Sequence, residues 1–146
     1  MNKIVQALLT GMFITFFLDF FIFLGIFLNY IELHGIDVYY NILFADHQNL
    51  YIFFVMSIFF GYISVYIKNY KISLTIIGIF GIVALSTLLQ GIGESLGESM
   101  LMTKNSTLKS AKHTFIGDIY YEGREYITFY DREINKMIKI DKKDLK

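Results

Sequence analysis

The sequence predicts a membrane α-helical protein, with three transmembrane helices followed by a small antiparallel three-stranded β-meander. The chain has 146 residues, 55% of them hydrophobic, and it contains three long apolar runs, which is typical of membrane proteins. After His113 apolar and polar residues alternate, and this pattern predicts the strands. The predicted domains are a three-helix transmembrane domain over 1–92, a helix end and polar linker over 93–112, and the meander over 113–146.

The three apolar runs are predicted to be spans at about 4–28, 50–67 and 72–90. At 1.5 Å per residue the first is about 37 Å long, which exceeds the ~30 Å of the hydrocarbon layer. The second and third contain no charged residue. Only the four residues KNYK separate them, so these two helices are expected to form an antiparallel hairpin.

Lysine positions predict how this multi-pass chain is oriented. Lys3, Lys68 and Lys71 lie on one side of the predicted spans, whereas the loop 29–49 contains three acidic residues and no lysine or arginine. The positive-inside rule then puts the amino terminus in the cytoplasm and the carboxy-terminal domain outside it, in a bacterial inner (cytoplasmic) membrane. Two further lysines at 104 and 109 weigh against this orientation.

The predicted meander has turn signals at 122–123 and 131–135. Tyr120, Tyr126 and Tyr130 are expected on one face. A sheet of about 35 residues has too little core to be stable alone, so it needs a covering surface: the membrane, the 29–49 loop, a second copy or another protein. Apolar side chains are expected on the other face, at Phe115, Ile119, Tyr121, Ile127, Phe129, Ile138 and Ile140.

Asp19 is the one charged residue within the predicted spans. A carboxylate near the middle of a span costs roughly 2.5 to 3.5 kcal/mol on insertion. Counting along the helices places Asp19 level with 57–61 and 86–90, where we expect it to be neutral and hydrogen-bonded to Ser86, Thr87 or Gln90. The predicted intramembrane packing residues are Thr15, Asp19, Ser57, Gly61, Ser86, Thr87 and Gln90.

Two functions remain open on these residues. In the first, Asp19 fixes how the helices assemble, and the chain is a non-enzymatic accessory, scaffold or assembly component of an inner-membrane complex. Its partners are then the lipid bilayer and other membrane protein chains, or further copies of itself. In the alternative, Asp19, Gln90 and Glu94 line a path in a subunit of a proton- or ion-coupled transport system. Three helices are few for a transporter, so the alternative requires an oligomer.

Other polar residues give no pattern that indicates catalysis. Glu94 and Glu98 are four residues apart, which places them on one helical face, and we expect them to be interfacial acids at a solvated helix end. No nucleophile motif or phosphate-binding loop is present. Lysine plus arginine and aspartate plus glutamate both number 13, which gives no indication of nucleic-acid binding.

The loop 29–49 carries imidazole and carboxylate groups, which are ligand types for divalent metals. Their spacing matches no standard ligand pattern, so neither a metal nor a cofactor is predicted. Asp46 is instead predicted to cap the helix of the second span. The groups concerned are Glu32, His34, Asp37, Asp46 and His47.

Overall fold

A computed structural model describes residues 2–110 and 113–145, which form five α-helices and a four-stranded antiparallel sheet. Residues 1, 111, 112 and 146, assigned above to the predicted transmembrane domain, linker and meander, lie outside the described residues. The helices are α1 (Lys3–Ile26), continued by the π-helical turn Phe27–Ile31, α2 (Tyr40–His47), α3 (Leu50–Tyr66), α4 (Tyr70–Ser86) and α5 (Gln90–Leu101). The strands are β1 (Thr103–Lys109), β2 (Thr114–Glu122), β3 (Tyr126–Asp131) and β4 (Lys136–Asp141), and a 3₁₀ turn follows at Lys142–Asp144.

α1 and its π-helical turn form one helical segment, Lys3–Ile31, that is long and apolar enough to cross a bilayer. The Asn2 side chain caps its start by accepting a hydrogen bond from the backbone N–H of Ile4. Gly35 ends the turns that follow, because its φ of +61° is a left-handed conformation that glycine adopts without strain. The chain reverses there, and the Ile36 N–H bonds back to the Ile31 carbonyl oxygen.

The other long helices are joined to short ones through sharp bends. α2 meets α3 at 84°, and α4 meets α5 at 86°; if each bent pair is one span, up to three segments have the length and composition of a span. The residues of the predicted third span over 72–90 are divided between two helices, since α4 ends at Ser86 and Gln90 begins α5. Asn49, rather than the predicted Asp46, caps α3 by accepting hydrogen bonds from two backbone N–H groups of its first turn.

α1 and α3 lie antiparallel with their backbones in contact. Gly11 lies against the Ser57 carbonyl group, and Gly61 lies against the Ala7 carbonyl group. A β-carbon at either glycine would overlap these backbone atoms. Small residues allow membrane helices to approach this closely, which is how such helices gain packing energy in lipid.

Large apolar side chains are exposed along α3, α4 and the first part of α1, up to Phe20. Phe13 is 67% exposed and Ile58 is 63% exposed. From Phe23 onward α1 becomes buried, and Ile26 is fully covered by protein. One continuous helix therefore passes from an apolar exposed environment into a protein core.

The prediction of three strands was wrong, since the described residues form four, in the order β1-β2-β3-β4. The additional strand, β1, occupies part of the segment predicted to be a linker. It lies at the sheet edge, its register shifts between Thr103 and Ser106, and Asn105 has a positive φ. Only Leu108 of β1 packs against the sheet core, so the sequence there lacks the alternation by which strands are recognised.

The sheet covers part of its own apolar face. Its core is formed by Ile127, Phe129 and Ile140, and a bridge between Ser110 and Leu145 joins the chain beyond β1 to the end of the chain beyond β4. Because this bridge brings the two edges together, the sheet curls around its core. The side chains that pack against this core are those of Leu108, Phe115, Ile119, Ile138 and Leu145.

Tyr121 does not belong to this face, although the sequence pattern predicts it there. The register between β2 and β3 shifts between Ile119 and Tyr121, and a shift of one residue moves a side chain to the opposite face. Tyr121 consequently packs into a second core, which contains Phe23, Ile26 and other residues of the helices.

The contact between α1 and α3 gives a first prediction. We expect Gly11→Ala to lower the free energy of unfolding by about 1–3 kcal/mol, because the added methyl group overpacks the α1–α3 contact. Gly78→Ala on α4 is the matched control, since no atom lies within 4 Å of a β-carbon built there. The control should leave stability unchanged or raise it by up to about 1 kcal/mol through helix propensity. Equal effects of the two substitutions on unfolding by SDS in mixed micelles would contradict this packing.

Candidate functional site

The bend between α4 and α5 is attached to α1 by side-chain hydrogen bonds. The Asn29 amide donates to the carbonyl oxygens of Thr87 and Leu88, at 3.1 Å each. The Thr87 hydroxyl lies 2.7 Å from the Ala84 carbonyl oxygen and 3.1 Å from that of Phe21. The last carbonyl groups of α4 accept from the backbone N–H groups of Thr87, Leu88 and Leu89. Asn29 supplies the donor for the two carbonyl groups of the bend that follows.

Glycines let α5 pack closely on the same part of α1. Gly25 lies against Thr87, and Gly93 lies against the carbonyl oxygens of both these residues. Gly97 lies directly over the ring of Tyr30. The bend, the π-helical turn and α5 therefore form one packed unit around the end of α1.

Asp19 pairs with a residue that the sequence analysis did not identify. Its carboxylate accepts a hydrogen bond of 2.9 Å from the side-chain amide of Gln48, which lies between α2 and α3. Nearby, the Tyr40 hydroxyl donates to the Phe20 carbonyl oxygen at 3.0 Å. Asp19 is half-buried at the point where α2 turns away from α3.

The predicted level of Asp19 on the second span is wrong, whereas Thr87 of the predicted 86–90 level bonds to Phe21, two residues beyond Asp19. Ser57 and Gly61, predicted to lie level with it, meet Gly11 and Ala7 instead, eight or more residues closer to the start of α1. Asp19 is level with the residues just before α3 begins. The prediction took the whole apolar run as exposed to lipid. Because protein covers the last part of α1, the exposed apolar part is shorter, and its middle lies closer to the start of the helix.

The remaining predicted packing residues lie at separate places. Thr15 is buried, and its hydroxyl has no hydrogen-bond partner in the part of the chain that the structure describes. The hydroxyls of Ser57 and Ser86 donate to carbonyl groups of their own helices, and Gln90 is exposed at the start of α5. Thr87, and not Ser86 or Gln90, is the residue of this group that bonds to α1 from the α4 end.

Glu94 and Glu98 lie within α5 rather than at a helix end. Both are half-buried, and the Glu98 carboxylate lies 3.8 Å from the ammonium group of Lys104. α5 continues to Leu101, and Gly93 and Gly97, which lie next to these acids in the chain, pack against α1 and its π-helical turn. Glu98 thus borders the first strand of the sheet.

An aromatic cluster connects the end of α1 to β2. The Tyr30 hydroxyl donates a 2.8 Å hydrogen bond to the Tyr120 carbonyl oxygen. The His34 ring packs against both tyrosine rings, at centroid distances of 4.7 and 4.9 Å. Burial raises the pKa of the Tyr120 hydroxyl, and the negative charges of Asp118 and Glu98 raise it further. Tyr120 is therefore a neutral hydrogen-bonding group at physiological pH.

Two ion pairs join the sheet to the segment between α1 and α3. Arg124 donates to both carboxylate oxygens of Asp46, with 2.9 Å between Nε and Oδ2. Lys139 Nζ lies 2.9 Å from Asp37 Oδ2 and 4.5 Å from the centre of the Tyr126 ring. Each hydrogen bond to a carboxylate raises the pKa of the cation that donates it. Both cations, together with Asp37, line one cavity.

This cavity, which we call the junction cavity, lies between the segment preceding and beginning α2 and the sheet, and has a volume of about 460 Å³. Tyr121 lines it and is buried, and the Tyr121 hydroxyl has no hydrogen-bond partner among residues 2–110 and 113–145. Burial raises the pKa of this hydroxyl, and the Asp46 carboxylate adds to the effect. The other polar and aromatic residues of the lining include Asp37, Tyr39, Arg124, Tyr126 and Lys139.

No three histidine, aspartate or glutamate side chains in the described ranges are grouped so that they could hold a metal ion. The imidazole and carboxylate groups of the 29–49 loop instead contact other elements. Asp37 and Asp46 bind the two cations of the sheet. His34 and His47 lie against Tyr120 and Tyr121.

Sequence reasoning missed several residues of this region. Asn29 has a local signal, because it is an isolated amide directly after an apolar run. Gln48 has a weaker one, as part of the polar group preceding α3. Arg124 and Lys139 have none, since their partners are about 80 and 100 residues away in the chain and only the folded structure brings them together.

Comparisons with models of protein families, with curated proteins and with solved structures gave no match. The function has therefore to be inferred from the residues of this chain.

The contact of Asn29 with the end of α4 gives a second prediction. Asn29→Ala leaves two part-buried carbonyl groups without their donor, so it should lower the free energy of unfolding by about 1–3 kcal/mol. It should also speed hydrogen exchange of the α5 amides. Gln90→Ala, at the exposed start of α5, is the control and should change neither quantity. If the two variants unfold and exchange alike, Asn29 does not hold the bend.

Proposed function

We propose that the protein is a small multi-pass membrane protein with three spans, and that it acts as a non-enzymatic accessory or assembly component of a bacterial inner-membrane complex. The observation that carries the proposal is the change of environment along α1. Its large apolar side chains are mostly exposed as far as Phe20, whereas Phe23 and Ile26 are covered by protein. In the π-helical turn that follows, Tyr30 and Ile31 are buried and Leu28 is 43% exposed. Such a helix suits a chain that fixes a folded extramembrane unit directly at the bilayer surface.

The three-span arrangement is supported by the way α3 and α4 lie beside α1. Each has 17 residues, a length of about 25 Å, which approaches the ~30 Å of the hydrocarbon layer. α3 runs from the level of Asp19 to the first turns of α1. α4 starts beside the end of α3, where the Ser73 hydroxyl donates to the Ile63 carbonyl oxygen, and ends beside Phe21.

The change from an exposed to a buried environment along α1 also explains the two bends. α2 and α5 turn away from α3 and α4 by 84° and 86°, on the side where α1 becomes buried. Helices at this angle to the spans lie along the membrane surface rather than across it. The sheet lies on this side, and Lys3, Lys68 and Lys71 lie on the other, so the positive-inside rule favours an extracytoplasmic sheet.

The accessory role is supported by the junction cavity. Tyr39 and Tyr126 at its edge are 75% and 41% exposed, and Arg124 is exposed beside them. Tyrosine and arginine are enriched in protein interfaces. The two cations of the lining, Arg124 and Lys139, pair with Asp46 and Asp37, an arrangement that suits the binding of a protein partner better than catalysis.

A third prediction concerns orientation. The chain contains no cysteine, so single introduced cysteines report the side of the membrane without background. Glu133→Cys, in the exposed turn between β3 and β4, should react with a membrane-impermeant maleimide in intact cells whose outer membrane has been opened. Lys68→Cys should react only after the inner membrane is permeabilised. The reverse pattern would place the sheet in the cytoplasm and contradict the proposed orientation.

A fourth prediction concerns the partner. A photo-crosslinking amino acid in place of Tyr126 should capture a specific membrane-fraction protein, because Tyr126 borders the junction cavity. The same amino acid in place of Ile134, which is exposed at the far turn of the sheet, is the matched control and should not. If neither Tyr126 nor Tyr39 yields an adduct beyond that of the control, the junction cavity is not a partner interface.

A further inference from the structure

A second cavity lies among the exposed apolar side chains, far from the sheet. It is a groove between the first turns of α1 and the second half of α3, with a volume of about 380 Å³. The groove opens outward, because Ile4, Leu8 and Ile58 beside it are all exposed. Its lining is formed by Ile4, Ala7, Leu8, Ile58, Tyr62 and Tyr66.

The groove has an apolar end and an aromatic end. Ile58 to Tyr66 spans eight residues of α3, or about 12 Å. Tyr62 and Tyr66 are one helical turn apart, with their rings nearly parallel at 14° and 5.5 Å between centroids. Tyrosine is enriched where a membrane helix meets the headgroup layer, and Tyr66 is the last residue of α3. The aromatic end therefore lies at the membrane surface.

Positive charge surrounds this end of the groove. Lys3 precedes Ile4 of the lining, and Lys68 and Lys71 follow Tyr66 within five residues. No acidic residue occurs in the sequence before Asp19 or between Asp46 and Glu94. An apolar groove that ends in tyrosines and lysines complements a molecule with a hydrocarbon chain and an anionic head.

We propose that this groove binds an anionic phospholipid of the leaflet on the lysine side. One acyl chain lies along Ile4, Leu8 and Ile58, and the phosphate is held beside Lys3, Lys68 and the Tyr66 hydroxyl. The proposal rests on the proposed function, since it requires α1 and α3 to cross the bilayer. The bound lipid covers the α1–α3 contact on its open side.

The groove can be tested on the full chain purified in a mild detergent. Native mass spectrometry should show one phosphatidylglycerol retained per chain, in preference to phosphatidylcholine. Leu8→Trp fills the groove and should weaken retention by about tenfold, since a packed groove has no room for a further chain. Leu9→Trp is the matched control, because Leu9 is exposed outside the groove lining, and it should retain the lipid as the unaltered chain does.

The headgroup contact is tested separately, with a substitution that leaves the helices intact. Lys68→Gln should lower the affinity for phosphatidylglycerol about fivefold, which is the expected effect of removing one lysine near an anionic surface. The affinity for phosphatidylcholine should stay unchanged. Lys109→Gln, on β1, should change neither affinity. Equal retention by the Leu8 and Leu9 variants, or equal loss of both lipids in Lys68→Gln, would overturn the lipid site.

These outcomes are distinguishable from a failure of the proposed function. The cysteine labelling described above reports membrane orientation independently of lipid retention. Correct labelling with no selective lipid binding overturns the lipid site alone. Labelling that shows α3 and α4 outside the bilayer overturns the three-span proposal and, with it, the lipid site.

Discussion

Asn29 donates hydrogen bonds to the carbonyl groups of Thr87 and Leu88, in the bend between α4 and α5, and the positions of α5 and the sheet depend on this contact. A sharp bend between two helices leaves carbonyl groups outside the helical hydrogen-bond pattern, and burying them without donors is costly. Asn29 meets this requirement from the π-helical turn of α1. With the carbonyl groups of the bend paired in this way, the chain turns by 86° and α5 packs across α1, so that β1 begins beside the aromatic cluster.

This arrangement gives Asp19 a different role from the one its sequence surroundings indicate. In the sequence it lies in the middle of an apolar run. A carboxylate there raises the free energy of membrane insertion, which suggests that the residue has a function. In the structure it lies near the point where α1 changes from exposed to buried, and it is half-buried and bonded to Gln48. No hydrogen bond in the described chain joins it to Ser86, Gln90 or Glu94, the residues that a proton or ion path would need. A link between α1 and the connection preceding α3 is the use that the geometry supports.

The apolar runs were sufficient to predict α1, α3 and α4, because helices with many exposed apolar side chains can be recognised from composition alone. The short helices α2 and α5 were not predicted, since a bend depends on a distant donor such as Asn29 and leaves no local pattern. β1 was missed because an edge strand buries only one side chain in the sheet core. Tyr121 was placed on the wrong face because a register shift has no signal in the alternation of residues.

The sheet is held to the helices by two kinds of contact with different consequences. Apolar burial of Ile26, Tyr30 and Tyr121 and the hydrogen bond from Tyr30 to Tyr120 lie in a core that excludes water, where such contacts are strongest. The ion pairs at the rim are exposed and contribute little to stability, but their geometry admits one orientation of the sheet. α1 and the sheet therefore form a single unit, and the proposed partner at the junction cavity would be held at a fixed position relative to α1.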